Sequence, residues 1–175
     1  MTEDTFYREI LEDHARNPQF DGLISEPTHK AEYKSAKTGN TCSITLNVED
    51  GRLVKIGLNV QGSALATASA SLLFSELKEL SLPEAQKIHQ RILKVLLEGE
   101  KIELPGDLCV FNSIVHFPER HDCALLAWNA LGGHFLFNKN DDRTHLHTLS
   151  IHIDSNRVTW SNLDRKRNGH SRAHI

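Results

Sequence analysis

The stretch Cys42-Ser43-Ile44-Thr45-Leu46-Asn47-Val48-Glu49-Asp50-Gly51-Arg52-Leu53-Val54-Lys55-Ile56-Gly57-Leu58-Asn59-Val60 decides the fold class. Ile44, Leu46 and Val48 alternate with polar residues, and Val54, Ile56, Leu58 and Val60 do so again, so each run gathers its apolar side chains on one face of a strand. Asp50-Gly51 between the runs is a hairpin signal, because glycine accepts the positive φ of a tight turn. The pattern predicts antiparallel sheet. Upstream, the turn Lys37-Thr38-Gly39-Asn40 leads into Cys42, and before it Ala31 and Tyr33 alternate as in a short strand.

Helical spacing takes over on both sides. Asp4 to Arg16 reads as an amphipathic helix capped by Asp4, with Phe6, Ile10, Leu11 and His14 on one stripe and Asn17-Pro18 as its stop. Residues 20–28 read as loop. After Gln61-Gly62-Ser63, the segment Ala64 to Leu80 has helical spacing, and its Ala, Ser and Thr residues let another backbone approach. Ser81-Leu82-Pro83-Glu84 combines a capping box with an early proline and opens a third helix through Ile88, Ile92, Val95 and Leu96, closed by Gly99. Leu108 to Phe117 is apolar without a deciding period. Pro118 opens a last helix through Cys123, Leu126, Ala127 and Ala130, with Gly132-Gly133 as its stop. One β-then-α domain is expected over residues 1–137. Thr144 to Asp154 alternates again, and Val158 with Trp160 pairs across Asp154-Ser155-Asn156, so residues 138–163 suggest an added β-hairpin. Residues 164–175, with four basic side chains against one acidic, read as a mobile basic tail.

The chain has 175 residues, 39% hydrophobic and 25% charged, with 3 Cys. That balance excludes a wholly disordered chain and a disulfide scaffold. No apolar run approaches the roughly 18 residues of a membrane helix, and the acidic start Met1-Thr2-Glu3-Asp4 lacks the order of a signal peptide, so a cytoplasmic protein with reduced thiols is expected. Twenty basic against 23 acidic residues give a net charge of -3, which implies neither nucleic-acid nor membrane attraction. The unusual figure is 11 His, six of them from His134 onward.

Two thiols are expected in activating settings: Cys42 at a turn-to-strand junction and Cys123 in the first turn of the last helix, where peptide N–H groups favour thiolate. Cys109, inside Leu108-Val110-Phe111, reads as an inert core residue. Spacing by itself cannot pair Cys42 with Cys123.

Three stretches, in order, carry a resemblance. They are Phe6-Tyr7-Arg8-Glu9-Ile10-Leu11-Glu12-Asp13-His14 with Asn17-Pro18, then Gln61-Gly62-Ser63-Ala64 running to Ala68-Ser69-Ala70-Ser71, and Phe117-Pro118-Glu119-Arg120 with Cys123-Ala124-Leu125-Leu126-Ala127-Trp128. Over roughly residues 5 to 132 the chain resembles the NifU/IscU-type iron-sulfur scaffold family, and the length between Ser63 and Cys123 resembles its SufU branch. The resemblance implies an α+β fold, a three-stranded antiparallel sheet with helices packed on one face. It also implies a site of three Cys and one Asp that binds zinc or builds a labile iron-sulfur cluster, with sulfur supplied by a cysteine desulfurase. Cys42 matches the sulfur-accepting cysteine, the persulfide acceptor, and Cys123 matches the third. Other iron-sulfur assembly proteins are implied partners.

The departures shape the expectation. The second family cysteine is Ser63, a poor zinc or iron ligand, and the Gly-Asp after the first cysteine is missing, since Ser43-Ile44-Thr45 follows Cys42. A set of Cys42, Cys123 and Asp122, with His121 or a water, is chemically acceptable for zinc. Asp122 and His121 equally read as residues that cap and charge a first helical turn, Ser63 as a helix cap, and Arg120 either as the family's site arginine or as an exposed helix-start residue. His145 and His147 share a strand face at a workable ligand spacing, with His134 as a further candidate beside them, although the strand face is apolar and no thiol or carboxylate framework accompanies them. His170 and His174 read as solvated. The resulting expectation is an assembly scaffold or sulfur acceptor with an altered metal site. The alternative is a degenerate member without metal or cluster that binds a desulfurase or other assembly factor. Hydrolytic chemistry lacks the motif context it needs around Ser63.

Overall fold

Asp50 and Gly51 carry φ of 48° and 74°, the left-handed conformation that a two-residue hairpin turn requires, and fold β2 (Thr41–Glu49) back onto β3 (Arg52–Gln61). The computed structural model of the chain describes residues 2–137, 149–154 and 157–162, with side chains through residue 133. β1 (His29–Lys34) pairs antiparallel with the other edge of β2, giving the three-stranded antiparallel sheet. Cys42, Ile44 and Leu46 of β2 are buried on the core face with Ile56 and Leu58 of β3, and Ile44 lies opposite Leu58 and Leu46 opposite Ile56.

The predicted alternation breaks at Val54. Asn47 faces Lys55 but Val48 faces Leu53, so Val54 is the extra residue of a bulge. Leu53 takes the buried place and Val54 is exposed. Segment 20–27 lies against the sheet at Gly57: the Ile24 N–H donates to Thr45 Oγ1 at 3.0 Å and the Leu58 N–H to the Asp21 carbonyl at 3.2 Å. A Cβ on Gly57 would lie 2.6 Å from Thr45 Oγ1 and 2.7 Å from the Gly22 carbonyl oxygen, so this close approach needs glycine.

α1 spans Glu3–Arg16, and its cap is Thr2 rather than Asp4: Thr2 Oγ1 accepts the Thr5 N–H at 3.3 Å. Phe6 turns outward and Tyr7 takes its expected place against the core beside Ile10 and Leu11. His14 is buried, with Nδ1 2.7 Å from Ser71 Oγ of α2 (Ala64–Leu77), and the same hydroxyl oxygen accepts the Gln19 N–H at 2.9 Å. α2 ends at Leu77 instead of running to Leu80 because Glu79 turns to φ 69° and segment 79–80 bonds to Leu53, Glu79 N–H to Leu53 O at 2.9 Å and Leu53 N–H to Leu80 O at 2.8 Å. The small residues of α2 do admit another backbone. The Ser69 hydroxyl donates to the Ala124 carbonyl at 2.5 Å while its oxygen accepts Trp128 Nε1–H at 3.1 Å.

α3 (Leu82–Leu93) begins with the expected Ser81/Glu84 capping box and continues as one wide turn to Glu98 before Gly99, at φ 68°, ends it. The apolar segment of undecided type is a 3-10 turn, Gly106–Val110, followed by the short α4, Phe111–Ile114. The expected single last helix is two, α5 (Pro118–Ala124) and α6 (Leu126–Phe137), broken where the Ala124 carbonyl is taken by Ser69. Nor does Gly132-Gly133 stop α6. A Cβ on Gly132 would sit 3.0 Å from His89 Nε2, so this glycine serves helix packing rather than termination.

Helices pack on the core face, with Trp128, Phe111, Leu72 and Leu73 fully buried. Beyond them β4 (Leu149–Asp154) pairs parallel with β1, and β5 (Arg157–Asn162) pairs antiparallel with β4, so the strand order is β3-β2-β1-β4-β5. These two strands extend the sheet beyond β1. The predicted strand start at Thr144 with His145 and His147, and the tail 164–175 with His170 and His174, lie outside the described residues. Among the described residues no helix is long and apolar enough to cross a membrane.

Candidate metal and sulfur site

The end of the β2–β3 ladder, the turn 35–40 between β1 and β2, and α5 meet at one corner. Cys42 is the second residue of β2, paired with Tyr33 on one side and Val60 on the other. It is fully buried. Burial, and then the negative charge of Glu32, push its thiol up to about 12. The expected activated thiol is thus corrected: desolvation of the thiolate outweighs whatever the neighbouring peptide dipoles supply.

Cys123 is half-buried. It lies in the last turn of the seven-residue α5, not in a first turn. Its sulfur instead receives Asn40 Nδ2–H at 3.7 Å. Asn40 in turn lies against Gly62, where an added Cβ would be 3.1 Å from the Asn40 amide. One side chain thus joins the approach to Cys42, the residue before Ser63, and Cys123.

Asp122 points into the same turn. Its Oδ2 accepts the Ser35 hydroxyl at 2.6 Å and the Thr38 hydroxyl at 3.0 Å. Ser35 is fully buried, and its oxygen also accepts the Lys37 and Thr38 N–H groups at 3.2 and 3.1 Å. Burial, then the Asp122 charge, raise the Tyr33 phenol above its ordinary range, against the opposing effect of a hydrogen bond with Asn129.

The remaining candidates are engaged elsewhere. Ser63 Oγ accepts the Ala66 N–H at 3.2 Å as the N-cap of α2. His121 Nε2–H is shared between the Ile114 and Val115 carbonyls, both at 3.2 Å, which anchors α5 rather than capping it. The Arg120 guanidinium stacks 4.5 Å from the Phe117 ring centre. Cys109 is half-buried in its 3-10 turn instead of lying in the core, and burial, followed by the Asp107 charge, raises its thiol.

A structural zinc site takes four ligands. Among the described residues no group of three or more His, Cys, Asp and Glu is placed to hold a metal ion. With Ser63 capping a helix, Asp122 Oδ2 receiving two hydroxyls and His121 Nε2 on carbonyls, the donor set does not fit a closed zinc or four-ligand cluster site. Ser35, Thr38 and Asn40 were not legible as site residues beyond the turn signal Lys37-Thr38-Gly39-Asn40 just ahead of Cys42.

Residues 6–133 match the family model described as the NifU-like N-terminal domain. The chain belongs to this family, the iron-sulfur cluster assembly scaffold family of SufU and IscU. It is 25% identical over 132 residues to the zinc-dependent sulfurtransferase SufU of Bacillus subtilis (strain 168), covering 73% of this chain and 88% of that protein. It is 27% identical over 128 residues to the iron-sulfur cluster assembly scaffold protein IscU of Thermotoga maritima, covering 71% and 89%. The fold matches the crystal structure of an N-terminal NifU-like protein from Brucella abortus with a TM-score of 0.69 at 22% identity, over 79% of this chain and 98% of that one.

Proposed function

We propose that the chain serves iron-sulfur cluster assembly beside a cysteine desulfurase, as a scaffold or sulfur acceptor whose metal site is reduced to the thiols of Cys42 and Cys123. The observation that carries this reading is the Asn40 bond to Cys123 Sγ, which ties the half-buried thiol to the turn leading into Cys42. Cys42 holds the family's acceptor position but is closed off, so Cys123 is the thiol that an incoming persulfide meets first. In the transfer, a thiolate of this chain attacks the outer sulfur of the desulfurase persulfide. A new S–S bond forms, the desulfurase S–S bond breaks, and the desulfurase thiolate leaves with the electron pair. Any zinc or iron held by two thiols is bound weakly and below one equivalent. In this reading the protein is cytoplasmic, residues 1–137 form the working domain, 138–163 an added hairpin and 164–175 a basic tail.

Mass-spectrometric mapping of persulfide after incubation with a cysteine desulfurase and free cysteine tests the proposal. Sulfur is expected on Cys123 and is lost in Cys123→Ser. If neither Cys123→Ser nor Cys42→Ser changes sulfur acceptance, the reading fails. The engagement of Ser63 and Asp122 favours a second reading, a binding module for a desulfurase or another assembly factor without sulfur chemistry. Desulfurase capture that survives the Cys42→Ser, Cys123→Ser double change, together with absent persulfide on the wild type, selects it.

A further inference from the structure

Asp122 has a neighbourhood unlike that of a waiting ligand. Its Oδ2 accepts hydrogen bonds from the hydroxyls of two residues of one turn, Ser35 at 2.6 Å and Thr38 at 3.0 Å, 87 and 84 positions earlier in the chain. Both donors are themselves built into the turn. Ser35 Oγ accepts the N–H groups of Lys37 and Thr38, and Thr38 Oγ1 accepts the Asn40 N–H at 3.3 Å. The turn closes on its own backbone as well, Ser35 N–H to Asn40 O and Gly39 N–H to Ser35 O, each at 2.9 Å. From this turn Asn40 reaches back to Cys123 Sγ, the residue next to Asp122. The bonds therefore make a closed loop, from Asp122 through Ser35, Thr38 and Asn40 to Cys123, that grips α5 at two consecutive residues. Hydrogen bonds to an ionised carboxylate are the stronger members of such a network, so the carboxylate is its anchor.

From this geometry we infer that Asp122 is a positioning residue: it latches the turn 35–40 onto α5 and, through Thr38 and Asn40, holds the Cys123 sulfur beside the strand that carries Cys42. The inference deepens the proposed function and rests on the view that Cys123 is the reacting thiol. It assigns Asp122 a role other than metal ligation.

The test measures how fast Cys123 reacts with an aromatic disulfide reagent, in the full chain carrying Cys109→Ser. In that reaction the thiolate attacks one sulfur of the reagent, forms a mixed disulfide and expels the aromatic thiolate, whose absorbance is read, and peptide mass spectrometry assigns the site. Breaking the latch frees a half-buried sulfur. Asp122→Ala and Asn40→Ala are each expected to raise the Cys123 rate about fivefold, the factor one modest hydrogen bond is worth. The double variant is expected to match the single ones, because the residues act through one connected network. Asp122→Asn, which keeps an acceptor oxygen of the same shape but loses the charge, is expected to restore part of the wild-type rate, and Thr38→Val to reproduce part of the Asp122→Ala effect. A wild-type rate in Asp122→Ala, or effects of Asp122→Ala and Asn40→Ala that simply multiply, overturns the inference. So does zinc bound by the wild type and lost in Asp122→Ala but kept in Thr38→Val. Persulfide mapping run in parallel separates the two levels: a wild type that accepts no sulfur defeats the proposed function, while the reagent rates still decide the latch.

Discussion

His89 and Trp128 are joined across the contact between α3 and α6, with His89 Nε2–H donating to the Trp128 carbonyl oxygen at 3.0 Å. The histidine is buried, and burial, only partly offset by this hydrogen bond, lowers its pKa from the ordinary 6.5 to about 4. The unfolded chain thus takes up the proton first as pH falls. The stabilisation is complete above the unfolded value and is lost as pH drops from 6.5 towards 4, on the order of 3 kcal/mol across that window. Urea unfolding of the wild type and His89→Gln at pH 7 and pH 4.5 should show a smaller pH-dependent loss in the variant. Equal losses in the two proteins would falsify this account.

Gly57→Ala should destabilise the fold by about 2 kcal/mol, the usual cost of overpacking. The new Cβ would meet Thr45 Oγ1 and the backbone of Gly22 and Ile24 at 2.6 to 2.9 Å, and two of those neighbours are main chain that cannot rotate away. Thermal or urea unfolding checks the magnitude, and a stability equal to the wild type would show that segment 20–27 yields freely.

Alkylation at pH 8 should label Cys123 well before Cys42. Cys42 is fully buried, and burial pushes its thiol up to about 12, so in the folded chain it is both shielded from the reagent and held as the unreactive thiol. Site-resolved mass spectrometry gives the order, and native labelling of Cys42 at the rate of free cysteine contradicts the structure. Full labelling of Cys42 is expected once the chain is unfolded in urea.

Ser63→Ala should cost about 1 kcal/mol of stability through loss of the α2 cap. Because Ser63 Oγ serves the Ala66 N–H, the loss should be the same with added zinc and with a chelator. A loss seen with zinc alone would instead assign the hydroxyl to a metal.

Much of the scaffold was legible in sequence because it rests on short-range rules. Asp50-Gly51 marks the hairpin, Ser81 to Glu84 the capping box, and the alternation around Ile44 and Leu58 the buried face of β2 and β3. Misreadings fell where distant parts meet. Gly132-Gly133 reads locally as a helix stop, but His89, some forty residues away, makes Gly132 a packing residue. Val54 fits the alternation, but the bulge opposite Asn47 and Val48 turns it outward.

The same boundary runs through the site. The sequence by itself determined that Cys42, Ser63 and Cys123 are the residues the resemblance sets at the site, and that the turn 37–40 precedes the first of them. Only the tertiary structure decided that Cys42 is closed off, that Cys109 is outside the core, and that Asp122 meets Ser35 and Thr38. The physical reason is range. Turn and cap preferences act over about four residues, whereas desolvation of a thiol and the partner of a carboxylate depend on chain segments brought together by packing.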